Sequence, residues 1–349
     1  MGKYNEWNKQ QMLHYYNELI QRYIDSGNKD EAVLRDIAAL DKLIKGPAPA
    51  FIGPETVQGR IYEDRMFLLK DSKFIKDIEK FKELSHSLKN KRNLTVEERD
   101  ISNSILMSVT HDFFNSVDPG LAKHFNKLFK DRKENVRFSK TPSYNVYLPT
   151  LDTGYINLER NNTISDFVYL IHEYAHMIQD RIKFRDSYLN YPLNEMLPLL
   201  MEMLALNFIE DSFEDFEEDA RTIKIARMKT NLKFASDILK EYQYIHTIDI
   251  NRRTRNMIAD MATTTNLSKK DSYKLLSITA EEKLAYVIPT ILDIELYYLY
   301  YFDQDRCMDL INKFINVDNV DYRKYIKDSG IVLNQHSKQY IKEIKRDIK

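Results

Sequence analysis

The spacing of hydrophobic and polar positions predicts helices over most of the chain. Apolar residues recur at the three-to-four-residue period of an amphipathic helix, both near the amino terminus and through most of the sequence after residue 160. Glycine, which disfavours helix interiors, is absent between Gly154 and Gly330, and this absence favours long helices there. The first four predicted helices cover residues 4–24, 29–45, 72–90 and 95–116.

One short region is predicted to form strands. Between residues 136 and 159 the segments VRFSK, YNVYL and GYINLE are rich in β-branched or aromatic residues and are separated by turn-forming residues. No internal repeat or low-complexity linker interrupts the chain. We therefore predict a mainly α fold with a small β-sheet, in which an amino-terminal helical region, 1–135, and a second region, 136–349, form one compact body.

Composition narrows the function classes. The chain of 349 residues has 52 basic and 53 acidic residues, a formal charge of −1, so it lacks the basic excess typical of proteins that bind nucleic acid or an anionic membrane. Cys307 is the single cysteine, so metal ligands would have to be histidines and carboxylates. No apolar run suggests a signal peptide or a membrane span. We expect a cytoplasmic protein, although export without a leader would leave no such signal.

The segment DFVYLIHEYAHMIQD, residues 166–180, carries the pattern H-E-x-x-H. On a helix, His172 and His176 lie one turn apart on the same face, so both imidazoles can bind one Zn²⁺. Glu173 follows the first histidine and would lie near the metal without binding it. The alternative is two histidines held by core hydrogen bonds on a buried helix. Cobalt or manganese could use the same ligands.

A third ligand is expected from a downstream carboxylate. Glu195 and Glu202 are seven residues apart, two helical turns, so both project from one face of an apolar helix. Pro198 is compatible with this helix if Asn194 caps it, because the proline then falls in the first turn. We predict that Glu195 binds the metal and that Glu202 orients a ligand imidazole. The reverse assignment, or a surface role for one of them, is the alternative.

The segment HEYAH followed by NEMLPLLMEMLA resembles the zinc peptidases of the thimet oligopeptidase and oligoendopeptidase F group. The resemblance covers about residues 140–305. It implies a helical zincin-type metallopeptidase fold around a deep channel, with the small sheet edging the active-site cleft. It also implies that His172, His176 and Glu195 bind one zinc ion per chain, that Glu173 is the general base and that Glu202 supports the site.

The segment AYVIPTILDIELYYLYYFD, residues 285–303, is similar to the tyrosine-rich helix that faces the zinc in this group. The resemblance implies that Tyr297 and Tyr300, three residues apart, donate hydrogen bonds to the oxyanion of the tetrahedral intermediate, with Tyr298 as the alternative. The sequence departs from the pattern in three places. Ala175 replaces the usual glycine, Thr290 replaces a histidine, and only 171 residues precede the motif.

The expected activity is hydrolysis of short peptides by a zinc-dependent endopeptidase, in which Glu173 assists the attack of a zinc-bound water. The predicted strand before the motif helix could bind the peptide substrate by strand addition, through the main chain of Gly154, Tyr155 and Ile156; an ordinary hairpin is the alternative. Other functions stay open: a protease dedicated to one peptide or protein partner, a zinc carboxypeptidase, or a non-catalytic helical interaction protein.

Overall fold

The computed structural model of the protein describes most of the chain. The described residues are 9–26, 30–45, 72–85, 88, 96–99, 101–129, 135–148, 152–183, 195–246, 269–316 and 322–346. Outside these residues lie the first residues of three predicted helices, 4–8, 29 and 95, and residues 86–87 and 89–90 of the remaining predicted helix, 72–90.

Helices dominate the described residues, and one small sheet accompanies them. The helices are α1 (Lys9–Asp25), α2 (Glu31–Lys45), α3 (Ser72–Ser85), α4 (Asn103–Val117), α5 (Pro119–Phe129), α6 (Ser165–Ile182), α7 (Met196–Ser212), α8 (Glu217–His246), α9 (Lys269–Phe302), α10 (Gln304–Asn316), α11 (Tyr322–Ser329) and α12 (Ser337–Arg346). The strands are β1 (Val136–Ser139), β2 (Tyr144–Leu148) and β3 (Thr153–Glu159). The prediction of a mainly α fold with a small sheet is confirmed.

One predicted helix boundary is wrong. The fourth helix was expected from residue 95, but α4 begins at Asn103 because the Ser102 side chain accepts the hydrogen bond of the Ile105 amide and caps the helix. Its predicted end is confirmed, since the backbone at Asp118 is extended. The Asp118 side chain then accepts the amide hydrogen of Leu121 at 2.8 Å and starts α5, a helix that the sequence pattern did not predict.

The chain divides into two compact units. One comprises residues 1–49 and 98–184, and the other comprises residues 50–97 and 185–349. This division does not follow the predicted boundary after residue 135, because the sheet belongs with α1 and α2 in the first unit. The prediction of a single compact body stays a prediction.

In the first unit the sheet lies between two helical layers. Its strand order is β1-β3-β2, with β3 parallel to β1 and antiparallel to β2. Val146, Leu148 and Tyr155 face α1 and α2 and form one buried cluster with apolar residues of those helices. The opposite face of β2 and β3 packs on α6. Alternation of side chains along each strand therefore gives α6 every second residue of the sheet.

Aromatic side chains set the rotation of α6. Tyr174 is fully buried, and its ring packs edge-on against Phe125 of α5 at a centroid distance of 5.0 Å. Phe125 in turn stacks on Phe114 of α4 at 4.4 Å. Burial of Tyr174 raises its pKa. Because this face of α6 is fixed in the aromatic core, His172 and His176, two residues to either side of Tyr174, lie on another face and remain partly exposed.

The second unit is a helical assembly. The helices α7, α8 and α9 pack against one another, and α3 and α12 pack against α8. Apolar residues on all sides of α7 are buried, as expected for a helix enclosed by others. Within the residues that the structure describes, no helix has the length and apolar character needed to cross a membrane.

Candidate metal centre and catalytic residues

The motif helix brings two imidazoles together. The Nε2 atoms of His172 and His176 are 3.1 Å apart, and the two rings lie nearly edge to face. Two nitrogen ligands of a tetrahedral zinc ion, each about 2.0–2.1 Å from the metal, are separated by about 3.3 Å. The observed separation fits this requirement without rearrangement of the helix. These two side chains can therefore hold a zinc ion.

The glutamate of the motif is held by the sheet. Glu173 is buried, 8% exposed, and its Oε2 accepts a hydrogen bond of 2.6 Å from Nδ2 of Asn145 on β2. The sequence pattern did not indicate Asn145 as a site residue. The available signal was the alternation in YNVYL, which places Asn145 and Tyr147 on the face opposite to Val146, but the pattern alone does not say which helix covers that face.

The pairing of β3 bears on the predicted substrate strand at one of its three residues. Ile156 is paired with Val136 of β1 on one side and with Asn145 of β2 on the other. Gly154 and Tyr155 are paired with β2. Since β3 is the central strand, Ile156 has partners on both sides and cannot pair with a peptide. Gly154 and Tyr155 lie before the stretch of β3 that pairs with β1, so strand addition at these two residues stays a prediction. In the described residues, the outer edges of the sheet belong to β1 and β2.

Gly154 also has a packing role. A Cβ atom at this position would lie 2.0 Å from the Sδ atom of Met177 on α6. Met177 is buried and directly follows His176. The absence of a side chain at Gly154 therefore allows β3 to approach the motif helix closely.

The carboxyl end of α6 is fixed by a polar network. Arg181 donates two hydrogen bonds to the carboxylate of Asp152, from Nε at 2.8 Å and from Nη2 at 3.1 Å, and Tyr147 donates a third at 2.9 Å. Burial alone would raise the pKa of Asp152, but these hydrogen bonds outweigh it and lower the pKa. Nη1 of Arg181 also donates to Nδ1 of His124 at 2.8 Å. The network joins α5, α6 and the β2–β3 turn.

The second unit carries the predicted carboxylates. The cap predicted at Asn194 is wrong by one residue, because Glu195 occupies the N-cap position of α7, but Pro198 lies within the first turn as predicted. Glu202 is buried, and its Oε1 accepts a hydrogen bond of 3.1 Å from Nη2 of Arg227 on α8. The sequence did not indicate Arg227, which lies 25 residues further along the chain. This ion pair balances the buried charge of Glu202.

A third carboxyl group in this unit was also missed. Asp293 of α9 is fully buried, and within the described residues neither of its carboxyl oxygens has a hydrogen-bond partner. Burial, followed by the negative charges of Glu202 and Glu195, raises its pKa well above the ordinary value. An aspartate in an apolar helical pattern gives no sequence signal that distinguishes it from a surface residue on the same helix.

The tyrosines of α9 have different environments. Nδ2 of Asn207 donates a hydrogen bond to the hydroxyl oxygen of Tyr297 and another, at 3.0 Å, to that of Tyr301. The amide orientation is set by Lys224, which can only donate and lies 2.5 Å from Oδ1 of Asn207. Tyr297 therefore accepts in this contact, and its own proton is not used by it. Burial raises the pKa of Tyr297, which keeps the phenol protonated.

Tyr298, the alternative candidate for the oxyanion donor, already uses its hydroxyl proton within the protein. Its hydroxyl donates its single proton to Oε2 of Glu343 on α12 at 2.6 Å, and its ring stacks on His336. Tyr300 is partly exposed, with its ring edge-on to that of Tyr301. The proton of Tyr298 is therefore used within this unit, and the hydroxyl of Tyr297 is hydrogen-bonded to that of Tyr301 as well as to Asn207.

Thr290 takes a structural role at the position where the resembled group has a histidine. Its hydroxyl donates to the Tyr286 carbonyl at 2.7 Å and accepts from Nδ2 of Asn231 on α8 at 2.8 Å. The side chain is 4% exposed. Its proton is used within the helix pair α8–α9, so Thr290 cannot replace the histidine as a donor.

Comparison with known proteins identifies the fold. No family model matches the sequence, and no curated protein matches it. Among solved structures, the chain is similar to a protein from Chlamydophila abortus described as a candidate peptidase, with a TM-score of 0.52 and 13% identity over 97% of this chain and 62% of the other. It is also similar to a candidate oligoendopeptidase F, with a TM-score of 0.50 and 10% identity over 97% of this chain and 66% of the other.

These similarities establish the fold of the chain and nothing further. The chain has the helical fold of these two candidate peptidases, at sequence identities that carry no information on shared residues or substrates. The chain spans less than two thirds of the length of either structure. Activity must therefore be inferred from the residues of this protein.

Proposed function

We propose that the protein is a zinc-dependent endopeptidase that hydrolyses short peptides. The observation that carries the proposal is the arrangement on α6, where two imidazole nitrogens lie 3.1 Å apart and the intervening motif glutamate is held in a buried position. Histidine pairs that serve only the core do not require a carboxylate beside them. The similarity in fold to candidate peptidases supports the same reading.

The proposed metal ligands are His172, His176 and Glu195, with Glu202 as a supporting carboxylate that Arg227 keeps in place. Three protein ligands leave one position open, as in catalytic zinc sites, whereas structural zinc sites are closed by four. When bound, zinc would supply a Lewis acid that polarises the scissile carbonyl and lowers the pKa of the attacking water to about 7.

The residues of the chain perform the proton transfers. The carboxylate of Glu173 takes a proton from the attacking water as the new C–O bond forms, and it passes this proton to the nitrogen that leaves when the C–N bond breaks. The Tyr297 hydroxyl, whose oxygen accepts from Asn207, is the proposed donor to the developing oxyanion, and Tyr300 is the second candidate.

Cleavage of a library of short, internally quenched peptides tests the proposal. The zinc-loaded protein should cut internal bonds, identified by mass spectrometry, and Glu173→Gln should abolish the cuts while retaining zinc. Glu195→Ala should lower the zinc content, measured by elemental mass spectrometry of the purified protein. Peptides blocked by a carboxyl-terminal amide separate the endopeptidase from a carboxypeptidase, which would not cut them.

Three results would contradict the proposal. Cleavage that survives Glu173→Gln would show that Glu173 is not the general base. Unchanged zinc content in Glu195→Ala would show that Glu195 is not a metal ligand. A zinc-loaded protein that cuts none of the peptides would argue against a general oligopeptidase and favour a dedicated substrate or a non-catalytic role.

A further inference from the structure

We propose that Asn145 is a positioning residue for the general base, and that it fixes the orientation of the Glu173 carboxylate through the edge strand β2. The inference rests on the proposed role of Glu173 and adds a residue to that role. In the described residues, Asn145 is the hydrogen-bond donor that the structure gives to this carboxylate, at 2.6 Å. The two residues lie 28 positions apart in the chain, on a strand and on a helix.

The strand register directs Asn145 toward α6. Asn145 is paired with Ile156 of β3, and its neighbour Val146 belongs to the apolar cluster on the opposite face. Tyr147, two residues along the strand, reaches the Asp152 carboxylate that Arg181 of α6 holds. Asn145 is therefore placed on the α6 face by the same alternation that buries Val146. A change of register by one residue would remove the contact.

The contact restrains one carboxylate oxygen and leaves the other for chemistry. Nδ2 of Asn145 is bonded to Oε2 of Glu173, so rotation of the carboxylate about its terminal bond is limited and Oε1 keeps a defined direction. A general base must meet the attacking water within hydrogen-bond reach and then turn the same proton toward the leaving nitrogen. Small errors in the placement of a catalytic group reduce rates strongly, which makes the orientation of Glu173 valuable.

A purely structural role for Asn145 accounts less well for its hydrogen bond to Glu173 than a positioning role does. The sheet is already attached to its neighbours by the ladders of β3 and by the buried side chains Val146 and Leu148. Asn145 is only partly buried, so its hydrogen bond to the Glu173 carboxylate, although charge-assisted, is a small part of what holds the sheet in place. Asn157 offers the contrast: it is 1% exposed, and its amide donates to Thr141 and to the Pro142 carbonyl in the loop before β2.

The test compares two isosteric substitutions in the same sheet. Asn145→Asp removes the donor and places a second carboxylate beside Glu173, so kcat should fall by about 10- to 100-fold, with KM changed by less than about threefold. Zinc content should stay at that of the unmodified protein. Asn157→Asp, the matched control, should lower the unfolding temperature and leave kcat of the folded protein within about threefold. Asn145→Val, which suits a strand, provides a second variant without the donor and should show the same loss of kcat.

A measurement independent of activity examines the contact itself. In the metal-free protein labelled with ¹⁵N-asparagine, the side-chain amide signal of Asn145, assigned by its loss in Asn145→Val, should shift on Glu173→Gln, whereas the Asn157 signal should not. An unmoved Asn145 signal, or wild-type kcat in both folded Asn145 variants, would overturn the proposal even if the protein is a peptidase. If the wild-type protein cuts no peptide, the proposed function fails, and the amide signal still decides whether Asn145 holds Glu173.

Discussion

Replacing Gly154 with alanine tests how closely β3 approaches the motif helix. The added Cβ would lie 2.0 Å from Sδ of Met177, whereas nonbonded heavy atoms are comfortable at about 3.5–4.0 Å. The atoms must therefore separate by at least about 1.5 Å. Sδ is in the middle of the Met177 side chain, and Cγ and Cε would also lie within 3.4 Å of the new atom, so a rotation of the terminal methyl group cannot relieve the clash.

Overpacking of this kind costs about 1–3 kcal/mol, because a buried core accepts extra atoms only by strain. For a chain of this size such a loss corresponds to a fall in unfolding temperature of about 1–4 °C. The measurement is urea and thermal unfolding of the metal-free protein, which avoids stabilisation by bound metal. Since Met177 directly follows His176, Gly154→Ala should also weaken zinc binding.

The double mutant decides whether the clash is the cause. Met177→Ala alone should cost about 2–5 kcal/mol through the cavity that it leaves. In that background the space for a Cβ exists, so adding Gly154→Ala should cost less than about 0.5 kcal/mol, and the two changes should be strongly non-additive. Additive costs would refute the reasoning and would mean that Gly154 is required for its backbone conformation or for another contact.

Three further predictions concern single residues. Burial, with Arg181 nearby, lowers the pKa of His124 below its ordinary 6.5, so the contribution of this residue to folding stability should be fully present above about pH 6.5 and should decline below it. In urea unfolding, His124→Gln should therefore lose less stability between pH 7.5 and 5.5 than the unmodified protein does. An equal loss in the two proteins would contradict this. Arg227→Met leaves the Glu202 carboxylate buried without its guanidinium and should destabilise the protein by about 1–3 kcal/mol in chemical unfolding, whereas an unchanged midpoint would show that Glu202 has other support. Burial raises the pKa of the Cys307 thiol to about 12, so a thiol reagent at pH 8 should label it only on unfolding, and rapid labelling of the native protein would disprove the burial.

Much of the candidate site could be predicted from local spacing. The four-residue separation of His172 and His176 places both imidazoles on one face of any helix, and the structure shows their nitrogens 3.1 Å apart. The position of Pro198 in the first turn of α7 also followed from the sequence, because proline is tolerated only where no ladder bond is lost. The three strands were predicted from their composition and turns.

The tertiary structure decided which of these elements meet. The order β1-β3-β2 makes β3 the central strand. The sequence could not show this, because β1 and β3 pair directly and in parallel although β2 lies between them in the sequence. The contacts of Asn145 with Glu173 and of Arg227 with Glu202 join residues 28 and 25 positions apart on different elements.

Local periodicity thus fixed where side chains lie on each helix or strand, since backbone geometry repeats over a few residues. The partner of each polar group depended on packing, because a buried donor or acceptor is satisfied by whatever group the fold brings within about 3 Å of it. The sequence by itself determined that His172 and His176 share one face of α6 and that Glu195 and Glu202 are seven residues apart. Only the tertiary structure determined which group holds the Glu173 carboxylate, which strands form the sheet edges and which tyrosine donates to Glu343.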